Sequence, residues 1–166
     1  MARTAHPSWN VLKFGGTSVS SAANWRNIAQ VVAARRADGD RVLVVHSAIT
    51  GITDRLEKLL AAAHQGSHAE VLAAIEERHR ALAAELGIEV GPELERHFAE
   101  LGQIAAGAAL VGEVSDRIRA RVMAAGELMA TDLGARYLRH AGLPVDWLDA
   151  RTLLIAEARR GASARA

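Results

Sequence analysis

The sequence predicts an α/β fold in which a mainly parallel sheet is flanked by helices, with a helical excursion after the second strand. Three observations predict this fold class. Residues 9–14 and 41–47 are short apolar runs bounded by turn residues, as in buried strands. Residues 21–37, between them, repeat apolar side chains at the three- and four-residue spacing of a helix. Residues 53–110 then keep almost only helical spacing.

The first elements form a β-α-β unit. The first strand, WNVLKF, runs into the paired glycines Gly15 and Gly16, which indicate a tight loop. The acidic turn at 38–40 ends the helix, and the run RVLVVHS after it is apolar enough for a strand covered on both faces. Strands joined by a crossover helix are parallel with a right-handed connection, so the loops that follow them should lie side by side where such sheets bind ligands.

The helical excursion carries its own start signals. Ser67 and Glu70 have the spacing of a capping box at the start of one helix. Pro92 is well placed to start the next, because proline fits the first turn of a helix. Apolar stripes at helical spacing support both helices and the one before them: Leu56, Leu59 and Leu60, then Val71, Leu72, Ile75, Leu82 and Leu86.

The last part of the chain predicts a helix or helix pair over 115–139 and a third strand at 144–149. In this strand Val145 and Trp147 fall on one face. Three strands with so much helix make a small sheet, which indicates a part of a larger architecture. Residues 155–166 have no strand signal and little amphipathicity.

Composition excludes several classes of protein. Hydrophobic residues make up 50% of the chain and charged residues 23%, which is typical of a globular domain. The net charge is +1 with scattered basic residues, which argues against nucleic-acid binding. The absence of cysteine excludes disulfides and thiolate chemistry. No apolar run is long enough to span a membrane and residues 1–10 lack a signal-peptide core, so we expect a cytoplasmic protein.

The two lysines are the first candidate functional residues. The chain has 18 Arg and only two Lys, Lys13 and Lys58, so a lysine here suggests a position where arginine would not serve. A compact ammonium suits a tight site that binds phosphate oxygens. Lys13 is followed by Gly15 and Gly16, whose backbone can approach an anion closely. This pattern indicates a phosphate site, and the alternative is a plain Gly-Gly turn beside a lysine at the end of a strand.

A second candidate site is the loop 47–54, which is rich in hydroxyl groups and runs into a helix. Its Ser47 and Thr53, with the free N–H groups of the helix start, can hold a carboxylate or a phosphate. The alternative is that these side chains are ordinary helix caps. A third candidate is Glu127, which lies among apolar residues and would find a partner in a bound ammonium group. Its alternative is a place on the wet face of its helix.

The remaining candidates give weak signals. Asp149 and Arg151 follow the expected third strand, where an ion pair within the chain is as plausible as a site. The pairs Glu93 with His97 and His64 with His68 have the four-residue spacing of a helix face, but solvated faces explain them better than a metal site. His46 lacks an obvious acid to orient it, which disfavours a catalytic triad. We therefore predict no metal bound by the protein itself.

Three segments together resemble the aspartate kinases of the amino acid kinase family. The segments are VLKFGGTSVSSAANWRNIAQVV, VVHSAITGITDRL and AAGELMATDLGARYLRHAGLPVDWLDAR. They occur in the same order as in that family, and the run KFGGTSV favours aspartate kinase over glutamate, acetylglutamate or uridylate kinases. The residues around His46 and Trp25 are also similar to those of the aspartate kinases that are fused to diaminopimelate decarboxylase.

The resemblance implies transfer of the ATP γ-phosphoryl group to the side-chain carboxylate of L-aspartate, the first step towards lysine, threonine and methionine. It implies that Lys13 is catalytic and binds the ATP phosphates together with Gly15, Gly16 and Ser47. It also implies that Thr53 and Glu127 bind aspartate, and that Mg²⁺ is held mainly by the ATP phosphates. The product is 4-phospho-L-aspartate.

The resemblance covers only the first part of an aspartate kinase. We therefore expect residues 1–166 to be the N-terminal portion of the catalytic domain, without the half that binds the nucleotide base and without the regulatory ACT domains. We expect this chain alone to be inactive, and to form a homo-oligomer or to associate with the remainder of the enzyme. The alternative is a non-catalytic fragment that binds an amino acid or phosphate, or serves only in assembly.

Overall fold

A computed structural model describes residues 8–153 of the 166-residue chain. The elements in chain order are β1 (Trp9–Phe14), α1 (Ala22–Ala37), β2 (Arg41–His46), α2 (Ile52–Ala63), α3 (His68–Glu85), α4 (Pro92–Val111) and α5 (Asp116–His140). Short 3₁₀ turns occupy Gly16–Val19 and Ala150–Thr152. The predicted α/β class is confirmed, and so is the helical excursion after the second strand.

The β-α-β unit follows the predicted boundaries closely. β1 and β2 are parallel, with Trp9 opposite Arg41 and Phe14 opposite His46. Ser21 caps α1, because its side chain accepts a hydrogen bond from the backbone N–H of Asn24. The carboxyl ends of both strands therefore lie at one end of the molecule, and the loops that follow them are neighbours.

Within the described residues 8–153, only one face of this sheet is covered. Alternate residues of both strands, with Leu12 and Val44 among them, pack against the core that α1 contributes to. The opposite face exposes large apolar side chains: Trp9 (58%), Val11 (60%), Leu43 (43%) and Val45 (45%). The prediction that β2 is covered on both faces is therefore wrong for the part of the chain that the structure describes, since no element within 8–153 lies over the second face.

The helices α2, α3, α4 and α5 pack together and form most of the core. Their fully buried side chains include Leu56, Ile75, Leu101 and Met129. α4 begins at a proline as predicted. The predicted capping box at Ser67 is wrong, because the Ser67 side chain makes no capping hydrogen bond. Its backbone angles, φ −108° and ψ 18°, are not the extended ones of a capping residue.

The segment after α5 departs from the prediction. Residues 144–149 form no strand, so the third strand is a wrong prediction. Side chains of α5 hold this segment instead: Arg139 Nε donates to Val145 O at 2.7 Å, and Trp147 Nε1 donates to Thr131 Oγ1 at 3.0 Å. A groove of about 610 Å³ is lined by this segment on one side and by β2 on the other. The segment thus lies on α5 without joining the sheet.

Two further expectations concern the ends of the chain and membranes. The expectation for residues 155–166 lies outside the residues that the structure describes. Within 8–153, no helix has the length and apolar character needed to cross a membrane.

Candidate functional site

Two loops meet at the carboxyl ends of the strands. We call residues 15–20 the glycine loop and residues 47–51 the hydroxyl loop. Ser47 N donates to Phe14 O at 3.2 Å, so the second loop starts beside the end of β1. A Cβ atom on Gly16 would lie 2.8 Å from Ala48 O, closer than real Cβ atoms approach a backbone oxygen. Glycine at position 16 therefore lets the two backbones touch, whereas a Cβ on Gly15 would meet nothing within 4 Å.

Lys13 lies on β1, opposite Val45 of β2. Its side chain is exposed on the uncovered face of the sheet, two residues before the glycine loop. Among the residues that the structure describes it has no ion-pair or hydrogen-bond partner, so its ammonium group is available to an anion. Lys58 is also exposed, but it lies in the middle of α2 and not beside the two loops.

The hydroxyl loop leads into α2 through Gly51, which has a φ of +80°. This left-handed conformation suits glycine because a side chain would be strained there. No side chain within 8–153 caps the first turn of α2, so the alternative that these hydroxyls are ordinary helix caps does not hold. Thr53 is exposed as the second residue of the helix, where backbone N–H groups have no acceptor within the helix.

Glu127 lies on α5 directly beside the hydroxyl loop. Its Oε1 accepts a hydrogen bond from the N–H of Ala48 at 3.4 Å. The neighbouring Gly126 makes this approach close, because a Cβ atom there would lie 3.1 Å from Ala48 Cβ. Glu127 is exposed, so it occupies the wet face of α5 as the alternative has it, and that face borders the two loops.

His46, at the end of β2, packs inside the core behind these loops. Its ring meets Trp25 edge to face at a centroid distance of 5.3 Å, and its Nδ1 lies 3.0 Å from Ser47 O. Burial is the main cause that lowers the pKa of His46, partly opposed by the hydrogen bond with Ser47 and by the charge of Glu127. His46 is therefore a neutral packing residue near neutral pH.

The structure separates the remaining candidates from the two loops. Asp149 and Arg151 form an ion pair within the chain, as the alternative to a site proposed, with contacts of 2.6 to 3.0 Å. The hydrogen bond from Arg151 lowers the pKa of Asp149. The expectation that His97 lies on a solvated helix face is wrong, because the His97 side chain on α4 is buried. His64 is exposed as expected. Within 8–153, no cluster of three His, Asp or Glu side chains has the arrangement of a metal site.

Two residues near the loops escaped the sequence analysis. Ser20 Oγ donates to Gly16 O at 2.6 Å and accepts from Thr50 N at 3.0 Å. Arg78, on α3, donates from Nη2 to Ser20 O. Ser20 directly precedes the predicted helix at 21–37, and no local pattern marks its side chain as a link between the two loops. Arg78 is separated from that stretch by 58 residues and carries no motif, so the sequence offered no signal for it.

The assembled region is chemically suited to anions. It offers the Lys13 ammonium group, the hydroxyls of Ser47 and Thr53, and the backbone N–H groups of Thr53 and Asp54, which find no acceptor among residues 8–153. Lysine, hydroxyls and backbone N–H groups are the usual donors to phosphate and carboxylate oxygens. The Glu127 carboxylate lies at the edge of this set and provides the complementary group for a cation such as an α-ammonium.

Comparison with known proteins agrees with this description. The model of the amino acid kinase family matches residues 8–165. The aspartokinase of Chlamydia trachomatis is 33% identical over 153 residues, which cover 90% of this chain and 32% of that protein. The chloroplastic bifunctional aspartokinase/homoserine dehydrogenase 1 of Arabidopsis thaliana is 32% identical over 155 residues, which cover 89% of this chain and 17% of that protein.

A solved structure with a similar fold is that of Escherichia coli aspartokinase III in complex with aspartate and ADP. It matches with a TM-score of 0.69 and 32% identity, over 87% of this chain and 31% of the other. The same enzyme in complex with lysine and aspartate matches with a TM-score of 0.70. The chain belongs to the amino acid kinase family. It spans less than a third of the length of the E. coli enzyme.

Proposed function

We propose that this chain is the N-terminal portion of the catalytic domain of an aspartate kinase. The observation that carries the proposal is the contact between the glycine and hydroxyl loops, with Lys13 before them and Glu127 beside them. This region matches in fold a kinase whose solved structure holds aspartate and ADP. Donors to anions on one side and the Glu127 carboxylate on the other suit the pair of substrates, a nucleoside triphosphate and an amino acid.

The proposed reaction is a phosphoryl transfer. A side-chain carboxylate oxygen of L-aspartate attacks the γ-phosphorus of ATP, the bond to the β–γ bridging oxygen breaks, and 4-phospho-L-aspartate and ADP form. Such a transfer depends mainly on alignment of the reactants and on neutralisation of charge, so it needs no protein nucleophile. The absence of cysteine is compatible with this chemistry.

On the phosphate side, Lys13 is the proposed catalytic residue. Its ammonium group would contact phosphate oxygens and offset the charge that moves towards the leaving oxygen. Gly15 and Gly16 would donate backbone N–H groups, with Gly16 allowing the close approach noted above. Ser47 would line the same groove from the hydroxyl loop.

On the amino-acid side, Thr53 and Glu127 are the proposed substrate-binding residues. The Glu127 carboxylate would pair with the α-ammonium of aspartate, and the Thr53 hydroxyl at the start of α2 would donate to a carboxylate oxygen. Glutamate has the same charges with one more methylene group. Discrimination against it would come from the fixed spacing between α5 and the hydroxyl loop, which touch through Gly126 and Ala48.

Kinases of this type use Mg²⁺ to neutralise the ATP phosphates. The described residues around the loops offer mostly ammonium, N–H and hydroxyl groups, and among these only the hydroxyl oxygens can ligate a metal ion. Within 8–153 no three acidic or histidine side chains converge either. We therefore assign no residue of this chain as a ligand of Mg²⁺ and propose that the ion enters with the nucleotide.

The wider context is proposed on the same basis. The product would feed the synthesis of lysine, threonine and methionine in the cytoplasm, and the chain would act as a homo-oligomer or together with the remainder of a longer enzyme. Fusion to diaminopimelate decarboxylase belongs to this proposal as one form of that longer enzyme. The second candidate function is a non-catalytic fragment that binds aspartate or phosphate, favoured by the short share of its relatives that the chain spans.

A trapping assay tests the proposal in the intact natural polypeptide that contains these residues. The protein is incubated with ATP, Mg²⁺, aspartate and hydroxylamine, which converts the acyl phosphate into a stable hydroxamate. We expect hydroxamate and ADP in equal amounts with aspartate and none with glutamate. ADP release without hydroxamate, or equal use of glutamate, would refute the assignment. Aspartate binding by calorimetry without any turnover would favour the non-catalytic alternative.

A further inference from the structure

One serine joins the two loops of the candidate site. Ser20 Oγ donates to Gly16 O at 2.6 Å, accepts from Thr50 N at 3.0 Å and lies 3.1 Å from Thr50 Oγ1. We call this set of contacts the Ser20 bridge. It spans 30 residues of sequence and links the glycine loop to the hydroxyl loop.

The Ser20 bridge uses the full capacity of the hydroxyl group. A serine hydroxyl has one donor and two acceptor positions. The donor goes to Gly16 O, one acceptor position goes to Thr50 N, and the other faces the Thr50 hydroxyl. Because all three positions have partners, the orientation of the side chain is fixed and the two loops are fixed relative to each other.

Arg78 extends the bridge into the helical excursion. Its Nη2 donates to the carbonyl oxygen of Ser20, and the side chain is half-buried. Hydrogen bonds from a charged donor are stronger than those between neutral groups. In the described part of the chain Arg78 has no carboxylate partner, unlike its neighbour Arg80, which pairs with Glu95 and Glu76. Arg78 is therefore committed to the glycine loop, whereas Arg80 ties α3 to α4.

We propose that Ser20 and Arg78 are positioning residues, which hold the glycine loop against the hydroxyl loop so that phosphate donors are aligned before the nucleotide binds. This inference rests on the proposed function for its kinetic consequence. Its structural part, the coupling of α3 to both loops, stands independently. It also gives the helical excursion a role in the site, since α3 otherwise lies away from the phosphate residues.

The kinetic consequence follows from what the bridge aligns. Preorganised donors act mainly in the transition state, so their misalignment lowers kcat more than it weakens binding. We expect Arg78→Ala to lower kcat by about 10- to 100-fold and to change the KM for aspartate by less than about threefold. Arg78→Lys retains a charged donor on a shorter reach, and we expect it to restore part of the lost activity.

Amide hydrogen exchange in the intact natural polypeptide tests the coupling without reference to the reaction. In Arg78→Ala we expect exchange at 15–20 and 47–51 to become at least about tenfold faster, with the core of α3 unchanged. Arg80→Ala is the matched control, and we expect it to leave both loops and the kcat unchanged. Ser20→Ala, which removes no charge, should reproduce the faster exchange in both loops.

The possible outcomes separate the bridge from the proposed function. Faster exchange confined to the two loops supports the bridge even if the hydroxamate assay finds no aspartate kinase activity, in which case only the proposed function fails. Unchanged exchange in the loops of both Arg78→Ala and Ser20→Ala overturns the bridge, whatever the activity. An increase spread evenly over α3 and α4, or equal effects of Arg78→Ala and Arg80→Ala, would also overturn it, since either means general destabilisation.

Discussion

At the scale of single residues, the two lysines allow a matched test of the phosphate site. Lys13→Ala in the intact polypeptide should lower kcat by about 100-fold or more, and by more than it raises the KM for ATP, because the ammonium charge acts mostly on the transition state. Lys13→Arg should be almost as impaired, since a planar guanidinium does not replace a compact point charge in a tight site. Steady-state kinetics measures both effects.

Lys58→Ala is the control, and its kinetics should be close to those of the wild type. Near-normal turnover of either Lys13 variant would show that Lys13 is not catalytic.

Glu127 permits a substitution that changes charge with little change in shape. Glu127→Gln keeps an acceptor for the N–H of Ala48, so the loop contact at 3.4 Å is retained. Loss of the negative charge should raise the KM for aspartate by about 10- to 100-fold and leave the KM for ATP nearly unchanged. Kinetics with each substrate varied in turn measures this. A lower melting temperature with unaltered aspartate kinetics would instead assign Glu127 a structural role.

His79 makes the stability of the helical core depend on pH. It is fully buried on α3, packs edge to face on Phe98, and its Nδ1 donates a hydrogen bond to Ile75 O at 2.8 Å. Its Nε2 is buried and has no hydrogen-bond partner among residues 8–153. Burial is the main cause that lowers the pKa of His79 from 6.5 to about 4. The unfolded chain therefore binds a proton at this residue more readily than the folded chain does.

The sign of the pH effect follows directly. The contribution of neutral His79 to the free energy of unfolding is complete above the unfolded pKa of 6.5. It falls as the pH decreases towards 4, because protonation favours the unfolded chain in this window. Between pH 7.5 and 5 the loss due to His79 should be about 2 kcal/mol. His79→Leu should remove most of this dependence in urea unfolding at the two pH values. The exposed His64→Leu is the control, and an equally steep loss in the His79 variant would contradict the prediction.

The candidate site was predictable where chemistry is local in sequence. Lys13, Gly15 and Gly16 form one contiguous motif, and the contact of Gly16 with Ala48 gives a physical reason for that glycine. Ser20 and Arg78 were not predictable, because their importance comes from which distant groups they reach, and helical spacing does not encode that. The same holds for His97, whose burial depends on how α4 packs within the helical group.

At the scale of elements, substitution of two helical glycines by alanine tests the packing, because we expect one to destabilise the fold and the other to stabilise it. A Cβ on Gly134 of α5 would lie 2.2 Å from a ring carbon of Trp25, whereas a Cβ on Gly107 of α4 would meet nothing within 4 Å. Gly134→Ala should destabilise the fold by about 1–3 kcal/mol through overpacking against α1. Gly107→Ala should stabilise it by up to about 1 kcal/mol, because alanine favours helix. Chemical unfolding of both variants checks this, and equal effects would show that α5 does not pack on Trp25 as described.

Element boundaries were predicted well where a local signal sets them. The predicted limits, 9–14 for the first strand and 21–37 for the helix, agree with β1 and α1 to within one residue. The prediction of a third strand was wrong because an apolar pattern indicates a buried face but does not indicate which element will cover it. At 144–149 that partner is α5, through the hydrogen bonds of Arg139 and Thr131. The capping box at Ser67 failed because the two-residue pattern does not fix the backbone conformation of the serine.

At the scale of the whole molecule, the sheet is small for the apolar surface it presents. Two strands pair within 8–153, and one of their faces exposes Trp9, Val11, Leu43 and Val45. The groove beside β2 is lined by apolar side chains of both β2 and α5, such as Val42 and Leu138. Isolated two-stranded sheets are marginally stable, and exposed apolar faces of this kind favour association.

These features predict how residues 1–166 behave in isolation. We expect no aspartate-dependent turnover, because the aspartokinases that the chain matches are about three times as long and transfer requires both substrates to be held in line. We also expect self-association, or marginal stability, driven by the uncovered sheet face and the open side of β2. Hydroxamate formation measures turnover, and light scattering measures mass.

The double variant Val11→Lys with Leu43→Lys should shift the measured mass towards that of a monomer. Substitution of exposed Leu110 on α4 by lysine serves as the control. Sustained turnover by a compact monomer would overturn this prediction and make these residues a complete minimal kinase.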